Sequence, residues 1–361
     1  MKILYGVQAT GRGHISRALA MAEALSEQPV SVTWLFSGRP REALFDMQPF
    51  GCYQHRRGLS FSTAKGRIQP LKTVLQNNLF RFVGDVVSLD LTPYDLVVTD
   101  FEPITAWAAR LRGVRCIGIG HQYAFGPGTP TPGGYPLSRF IMRHFAPVAR
   151  PLGLHWHPYA ANVLPPILDL PELPRRDDGF FLVYLPFEDQ QAVTELLNSL
   201  DSFRFVQFSN GLPPGQVGNV SLHPSSTCAF KQQLAACRGV ICNSGFELIS
   251  ECLQWQKPLL TKPLAGQVEQ LSNAESLRQL GYAQVVHSLQ RDALTAWLER
   301  PKRPKASGFG NVANRLSCWL ASGAKASVAT LGADLWHGDI RMQSTTTSGA
   351  LTRLQSTAIN P

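Results

Sequence analysis

Apolar residues in this chain gather in short continuous runs, at 2–7, 30–36, 94–100, 114–120, 180–185, 203–208 and 239–242. Runs of this length, bounded by turn residues and rich in Val, Ile, Leu and Phe, read as strands buried on both faces. Between them, apolar positions recur at helical spacing over 18–25, 104–112, 137–149, 190–200, 230–237, 247–253, 273–280 and 289–298. Residues 70–91 read as a largely helical stretch and 312–320 as a final helix. Strand and helix alternate in both halves, which predicts an α/β fold with two mainly parallel sheets. Residues 151–174 break the pattern with six Pro. The expected organisation is a first domain over 1–150, a linker over 151–178 and a second domain over 179–338. Residues 339–361 are rich in Ser, Thr and Gly with little apolar content, and are expected to be disordered.

Ligands of parallel sheets meet the carboxyl ends of the strands. The first strand ends in Thr10-Gly11-Arg12-Gly13-His14-Ile15-Ser16. His14 is a candidate general base, since a neutral imidazole suits proton abstraction from a hydroxyl. Taken alone, it also reads as a residue that packs at a helix start. Asp100 ends the strand at 94–100 and is the candidate partner that orients His14, with a helix N-cap as its structural reading. Glu102 competes for that role or contacts an acceptor. His121 and Gln122 end the next strand and are expected to face the same cleft. Ser16 stands where a dinucleotide fingerprint wants its third glycine, and the strand at 30–36 ends in Ser37-Gly38-Arg39 instead of an acid. Both features argue against NAD, and Arg39 leaves only NADP open.

The most informative stretch runs from Gly239 to Ala274. A strand is followed by the small-residue turn Asn243-Ser244-Gly245 and by a helix from Phe246 and Glu247 through Glu251. A second strand near Pro258 leads into a polar loop with Glu269-Gln270 and then Asn273. A helix N-terminus after such a turn is an anion site, because its first N–H groups lack partners and its dipole favours negative charge. Gly245 admits close approach of a ligand to the backbone.

This arrangement resembles the donor-binding segment of nucleotide-sugar glycosyltransferases of the GT-B type. The resemblance is to the group of the UDP-glycosyltransferases and the bacterial peptidoglycan N-acetylglucosaminyltransferase. It implies two Rossmann-like domains facing across a cleft. It further implies that the turn at Asn243, Ser244, Gly245, Phe246 and Glu247 meets a diphosphate, with Gly11 and Gly13 in the facing loop. Glu251, six residues after Gly245, would bind ribose, and Glu269 and Gln270 the donor sugar. His14 would deprotonate an acceptor hydroxyl in an inverting transfer, with neither metal nor resident cofactor. One departure stands out. Glu247 occupies a position where many UDP-glycosyltransferases have Asn, and a carboxylate aimed at a diphosphate would repel it. The stretch 223–227 lies where relatives read the base. A UDP-sugar epimerase, a non-catalytic nucleotide-sugar-binding protein and, more distantly, an NADP oxidoreductase are the competing readings.

Composition narrows the partners. The 361 residues suit two domains, and the net charge of +9 at a pI of about 9.4 fits an anionic lipid, a phosphorylated substrate or nucleic acid. No aromatic-basic nucleic-acid motif supports the last. Basic residues beside aromatics at 56–91 suggest peripheral contact with a membrane, or else a solvated basic face. The seven Cys are scattered without metal-ligand spacing, and no signal-peptide pattern opens the chain. A cytoplasmic location is expected, with an acceptor that is a lipid, a glycan or a small molecule.

Overall fold

The computed structural model describes residues 1–60, 63–64, 67–68, 77–224, 227–305 and 308–336. The segment 339–361, expected to be disordered, lies outside the described residues. So do Lys65 and Lys72.

The first sheet holds β1 (Lys2–Gln8), β2 (Ser31–Ser37) and β3 (Gln54–His55). After a small antiparallel hairpin of β4 (Thr63–Ala64) and β5 (Arg67–Ile68) it continues with β6 (Leu96–Asp100), β7 (Cys116–Gly120), β8 (Arg150–Leu154) and β9 (Val163–Leu164). Its order is β3-β2-β1-β6-β7-β8-β9, parallel throughout. Alternate side chains of a strand point to opposite faces. Ile3, Tyr5 and Val7 therefore meet α1 (Arg12–Ser26) on one face. Leu4, Leu35 and Val97 meet α2 (Leu79–Ser88) and α3 (Pro103–Arg112) on the other. Gly6 belongs to that second face, where a Cβ would come within 2.3 Å of the Thr105 hydroxyl, so β1 and α3 pack at glycine distance. A fourth helix, α4 (Pro136–Phe145), covers the same face through Phe145, which stacks on Phe101.

The second sheet comprises β10 (Phe180–Tyr184), β11 (Arg204–Phe208), β12 (Gly215–Val217), β13 (Val220–His223), β14 (Gly239–Asn243), β15 (Leu259–Lys262) and β16 (Gln284–Val285). Its order is β12-β13-β11-β10-β14-β15-β16, with only β12 antiparallel. Around it lie α5 (Gln190–Asn198), α6 (Thr227–Ala236), α7 (Phe246–Gln254), α8 (Val268–Leu280) and α9 (Arg291–Glu299). Both units are Rossmann-like, as the alternation of strands and helices predicts.

Three boundaries differ from expectation. β8 and β9 fall inside the segment read as a linker, so the first sheet runs to Leu164 and the crossing begins after it. The Pro-rich composition hid two short strands at the sheet margin, where Pro is tolerated. The helix expected from 273 starts at Val268, which puts Glu269 and Gln270 in its first turn instead of a loop. The last helix, α10 (Val312–Ala321), crosses back onto the first unit and packs against α1. Arg115 donates to the Gly323 carbonyl at 2.6 Å and Trp336 to the Val163 carbonyl at 2.8 Å, which fixes residues 323–336 there.

One apolar cluster runs from Ile15 and Met21 of α1 to Phe246 and Ile249 of α7 and to Leu316 and Trp319 of α10. The two units are thus pressed together along α1 and α7. Strand order reverses between β1 and β6 in the first sheet and between β10 and β14 in the second. Each reversal opens a crevice at the strand ends, the usual place for a ligand. No helix among the described residues is long and apolar enough to cross a membrane.

Candidate active site

The first crevice brings His14 and Asp100 together. Val7 pairs with Asp100 across β1 and β6, so the loop leaving β1 passes directly over the end of β6. The backbone turns at Gly11, the N-cap of α1, and His14 projects from the first helical turn. Its Nδ1 lies 2.8 Å from Asp100 Oδ1. Asp100 is fully buried and His14 partly exposed.

Sequence reading missed the third member. Arg17, one turn after His14, is 2% exposed and grips Asp100 with two parallel bonds, Nε to Oδ2 at 2.8 Å and Nη2 to Oδ1 at 2.7 Å. Burial pushes the Asp100 carboxyl up, but the charges of Arg17 and His14 and their hydrogen bonds outweigh it and hold it below its ordinary value. Through Nη1, Arg17 also donates to the carboxylate of Glu247, the second residue of α7. Glu247 is therefore turned away from the N-terminus of its own helix and spends its charge on Arg17. That arrangement removes the repulsion its position suggested. Asp100, Arg17 and Glu247 together carry one net negative charge, and a proton received by His14 brings the quartet to neutrality.

Gly13 fits this contact. A Cβ there would sit 2.4 Å from Glu247 Cγ. Its lack of a side chain admits Glu247 against α1. Gly13→Ala is expected to dislodge Glu247 from Arg17 and lower the melting temperature, and Glu247→Ala, which removes the same pair, to lower it too, so that the double variant falls little below either single one. An undiminished melting temperature for Gly13→Ala would show that the side chain moves aside at no cost. At Gly11, by contrast, a Cβ would meet nothing within 4 Å.

The second crevice faces the first. Gly245 is the N-cap of α7, with no side chain capping the helix and open space around its Cα. The first-turn N–H groups are thus without a side-chain cap, as an anion site requires. Ser244 is locked behind them, its hydroxyl 2.9 Å from that of Thr261 and its carbonyl accepting from Asn273 Nδ2 at 3.0 Å. Asn243 donates to the Lys262 carbonyl at 3.1 Å and to Glu188 at 3.3 Å, and Lys262 Nζ pairs with Glu188 at 2.6 Å. Among the described residues, the buried Asn243 Oδ1 and Gln122 Oε1 have no hydrogen-bond partner.

Two arginines unremarked as a pair line the margin of α1. The Arg12 guanidinium lies 4.5 Å from the centre of the Phe45 ring and that of Arg39 5.7 Å from it. Arg39 Nη2 donates to the Thr10 carbonyl at 2.9 Å. Burial lowers the Arg39 pKa, with the neighbouring Arg12 charge adding to the effect. Tyr184, at the end of β10, feels both cations, although burial dominates and raises its pKa.

Several expected contacts are corrected. Glu102 faces neither His14 nor an acceptor. It is buried as the N-cap of α3, accepting from the N–H groups of Ile104 at 2.9 Å and Thr105 at 2.7 Å. The sequence signal was available, an acid directly before Pro at the first helical position. His121 is no acceptor contact either. Its Nδ1 lies 2.8 Å from the Leu154 carbonyl, its Nε2 lies 2.7 Å from Asn273 Oδ1, and its ring stacks on Phe246 at 3.9 Å. Burial pushes its pKa down. It pins the two units together. Gln122 spans the cleft to Glu269 at 3.1 Å. Gln270 turns back and accepts from the Leu264 N–H at 2.9 Å, which holds the loop before α8. Phe246 is buried between His121 and Trp156. Glu251 is 6% exposed, and Lys231 takes its carboxylate. Burial still raises its pKa against the pull of that lysine. In this closed arrangement Glu251 does not stand free for a ribose.

Two facing Rossmann-like units, each with its crevice at a strand-order reversal and the crevices opposed, define the GT-B architecture. The chain belongs to glycosyl transferase family 1, whose model matches residues 1–129 and 155–301. Among solved structures it is similar to the glycotransferase of kitacinnamycin, at 17% identity and a TM-score of 0.55, covering 95% of this chain and 98% of that one. It is also similar to MurG of Acinetobacter baumannii, at 15% identity and a TM-score of 0.50, over 82% of this chain and 90% of that one. A third is SsfS6 of Streptomyces sp. SF2575, solved in complex with thymidine diphosphate, at 15% identity and a TM-score of 0.51, over 94% and 96%. A search of curated proteins finds no significant match.

Proposed function

We propose that this glycosyltransferase inverts the anomeric centre of a nucleoside-diphosphate sugar by direct attack of an acceptor hydroxyl, with His14 as the base. The observation that carries the reading is the His14–Asp100 bond of 2.8 Å, set against the uncapped N-terminus of α7. His14 takes the hydroxyl proton and Asp100 fixes the ring. The hydroxyl oxygen bonds to the anomeric carbon as the bond to the diphosphate oxygen breaks. The departing charge develops at the first turn of α7, where fixed N–H dipoles stabilise it without reorganising. Arg12 and Arg39 supply further positive charge nearby. No step requires a metal or a resident cofactor.

UDP is the first donor nucleotide to test, and the thymidine diphosphate complex of SsfS6 is the reason to put thymidine diphosphate sugars beside it. Calorimetric titration of both series into the wild type and Glu251→Ala tests the donor half. One donor is expected to bind, and Glu251→Ala to weaken it by about 1–3 kcal/mol if the carboxylate leaves Lys231 for the ribose. Equal affinity in a folded variant would reduce Glu251 to the ion-pair partner of Lys231. Incubating the bound donor without acceptor distinguishes an epimerase, which would convert the sugar while it stays on the nucleotide.

A further inference from the structure

Arg17 serves Asp100 and opposes His14 at once. Its Nη2 donates to Asp100 Oδ1 at 2.7 Å and lies 2.9 Å from His14 Nδ1. With a hydrogen on Nδ1, the imidazole donates to that same Asp100 oxygen, and Nε2 is left to take a proton. A proton on Nε2 would then set a second cation against the guanidinium, beside a carboxylate that is fully buried. A like charge so close disfavours the charged form. One carboxylate does not offset two cations.

The second carboxylate comes from the other unit. Glu247 accepts from Arg17 Nη1, the nitrogen that Asp100 does not use. An acid in the first turn of a helix has an ordinary reading, since the dipole favours it there with solvent around it. This one instead reaches a buried arginine 230 residues away in sequence. The backbone of α1 makes room for it, because a Cβ at Gly13 would stand 2.4 Å from Glu247 Cγ and 3.3 Å from its Cβ. Around His14, the charged groups are then Asp100 from β6, Arg17 from its own helix and Glu247 from α7 behind Arg17, with Glu269 of α8 reached through Gln122.

We propose that Glu247 is a positioning residue of the proton acceptor, acting on His14 through Arg17, and that its delivery by α7 makes closure of the two units a condition of proton transfer. The inference rests on the glycosyl-transfer reading above. Asp100, Arg17 and a protonated His14 sum to one positive charge, and Glu247 cancels it. The backbone N–H of Glu247 belongs to the uncapped first turn of α7, on the side of the departing diphosphate. One residue therefore joins the leaving-group half of the transfer to the proton-accepting half.

The first measurement needs no substrate. NMR titration of ring-labelled histidine in the full chain, with His14→Ala to assign the signal, follows His14 in the wild type, Glu247→Gln and Glu247→Asp. Glutamine keeps the size and an oxygen for Nη1 and removes only the charge. Loss of a negative charge disfavours the imidazolium, so the His14 midpoint is expected to fall by about one pH unit in Glu247→Gln. Glu247→Asp, with the charge on a shorter arm, is expected to lie between. The second measurement is release of nucleoside diphosphate from the donor that the titrations select, with water as acceptor. It is expected to slow by about three- to tenfold in Glu247→Gln, with calorimetric affinity for the donor unchanged. The proposal is overturned by a His14 midpoint that does not move, or by slowing that follows a loss of donor affinity. A shifted midpoint in a protein that binds no nucleotide sugar would overturn the transfer reading and leave the hold of Glu247 on His14 in place.

Discussion

Replacing His14 with alanine is expected to leave donor binding intact and to lower turnover by about 10²–10⁴. The donor half of the cleft, from Asn243 to Glu269, does not rest on the imidazole, so calorimetric affinity should not move. The chemical step loses its proton acceptor. Asp100 cannot replace it, because both of its oxygens are held by Arg17 and it is fully buried. Single-turnover measurement with saturating donor isolates this step. Wild-type turnover in the variant would remove His14 as the base while leaving the family assignment untouched.

Arg17→Met is the second large effect, and it appears first in stability. The change leaves two carboxylates, Asp100 and Glu247, without the cation between them. Breaking a buried ion pair from one side costs about 3–5 kcal/mol. The pH dependence should change sign as well. In the wild type the Asp100 carboxyl is held below its ordinary value. Its contribution to stability is therefore full above the unfolded value, about 3.9, and fades only as pH falls below it. Without Arg17, burial acts with much weaker opposition and raises that carboxyl. The variant should then be most stable in acid and lose stability as pH rises above about 4. Denaturant titrations across that range report the two slopes, and parallel slopes would mean that Arg17 does not set the state of Asp100. Arg17→Lys should rescue little, since one ammonium cannot supply two parallel donors to a carboxylate.

What the chain revealed in advance follows from periodicity and position. Buried strands are continuous apolar runs, so β1, β2, β6, β7, β10, β11 and β14 were legible. The residues at their carboxyl ends were legible as site candidates for the same reason. His14 and Asp100 met as expected because β1 and β6 are neighbours in register. Arg17 was illegible because a mid-helix arginine reads as a solvated face, and its partners stand 83 and 230 residues away. His121 and Glu102 were misjudged for a related reason. A polar residue at a strand end serves either a ligand or the packing of the fold, and only the contacts from other elements decide. β8 was hidden by its proline and β9 by the two that follow it, and β12 and β13 by their brevity.

The crossings between the units carry a consequence for motion. Leu168, Leu170–Leu173 and Arg175 of the first crossing and Phe309–Val312 of the second line one groove, together with Gln254 and Trp255. Two covalent tethers that run side by side act like the pins of a door. They would favour rotation of the second unit about the line that joins them over sliding. His121, Phe246, Asn273 and Glu247 would then separate from their partners along a single arc, in a fixed order set by their distance from that axis. Closure would bring Glu247 to a set of His14, Asp100 and Arg17 that the first unit already holds.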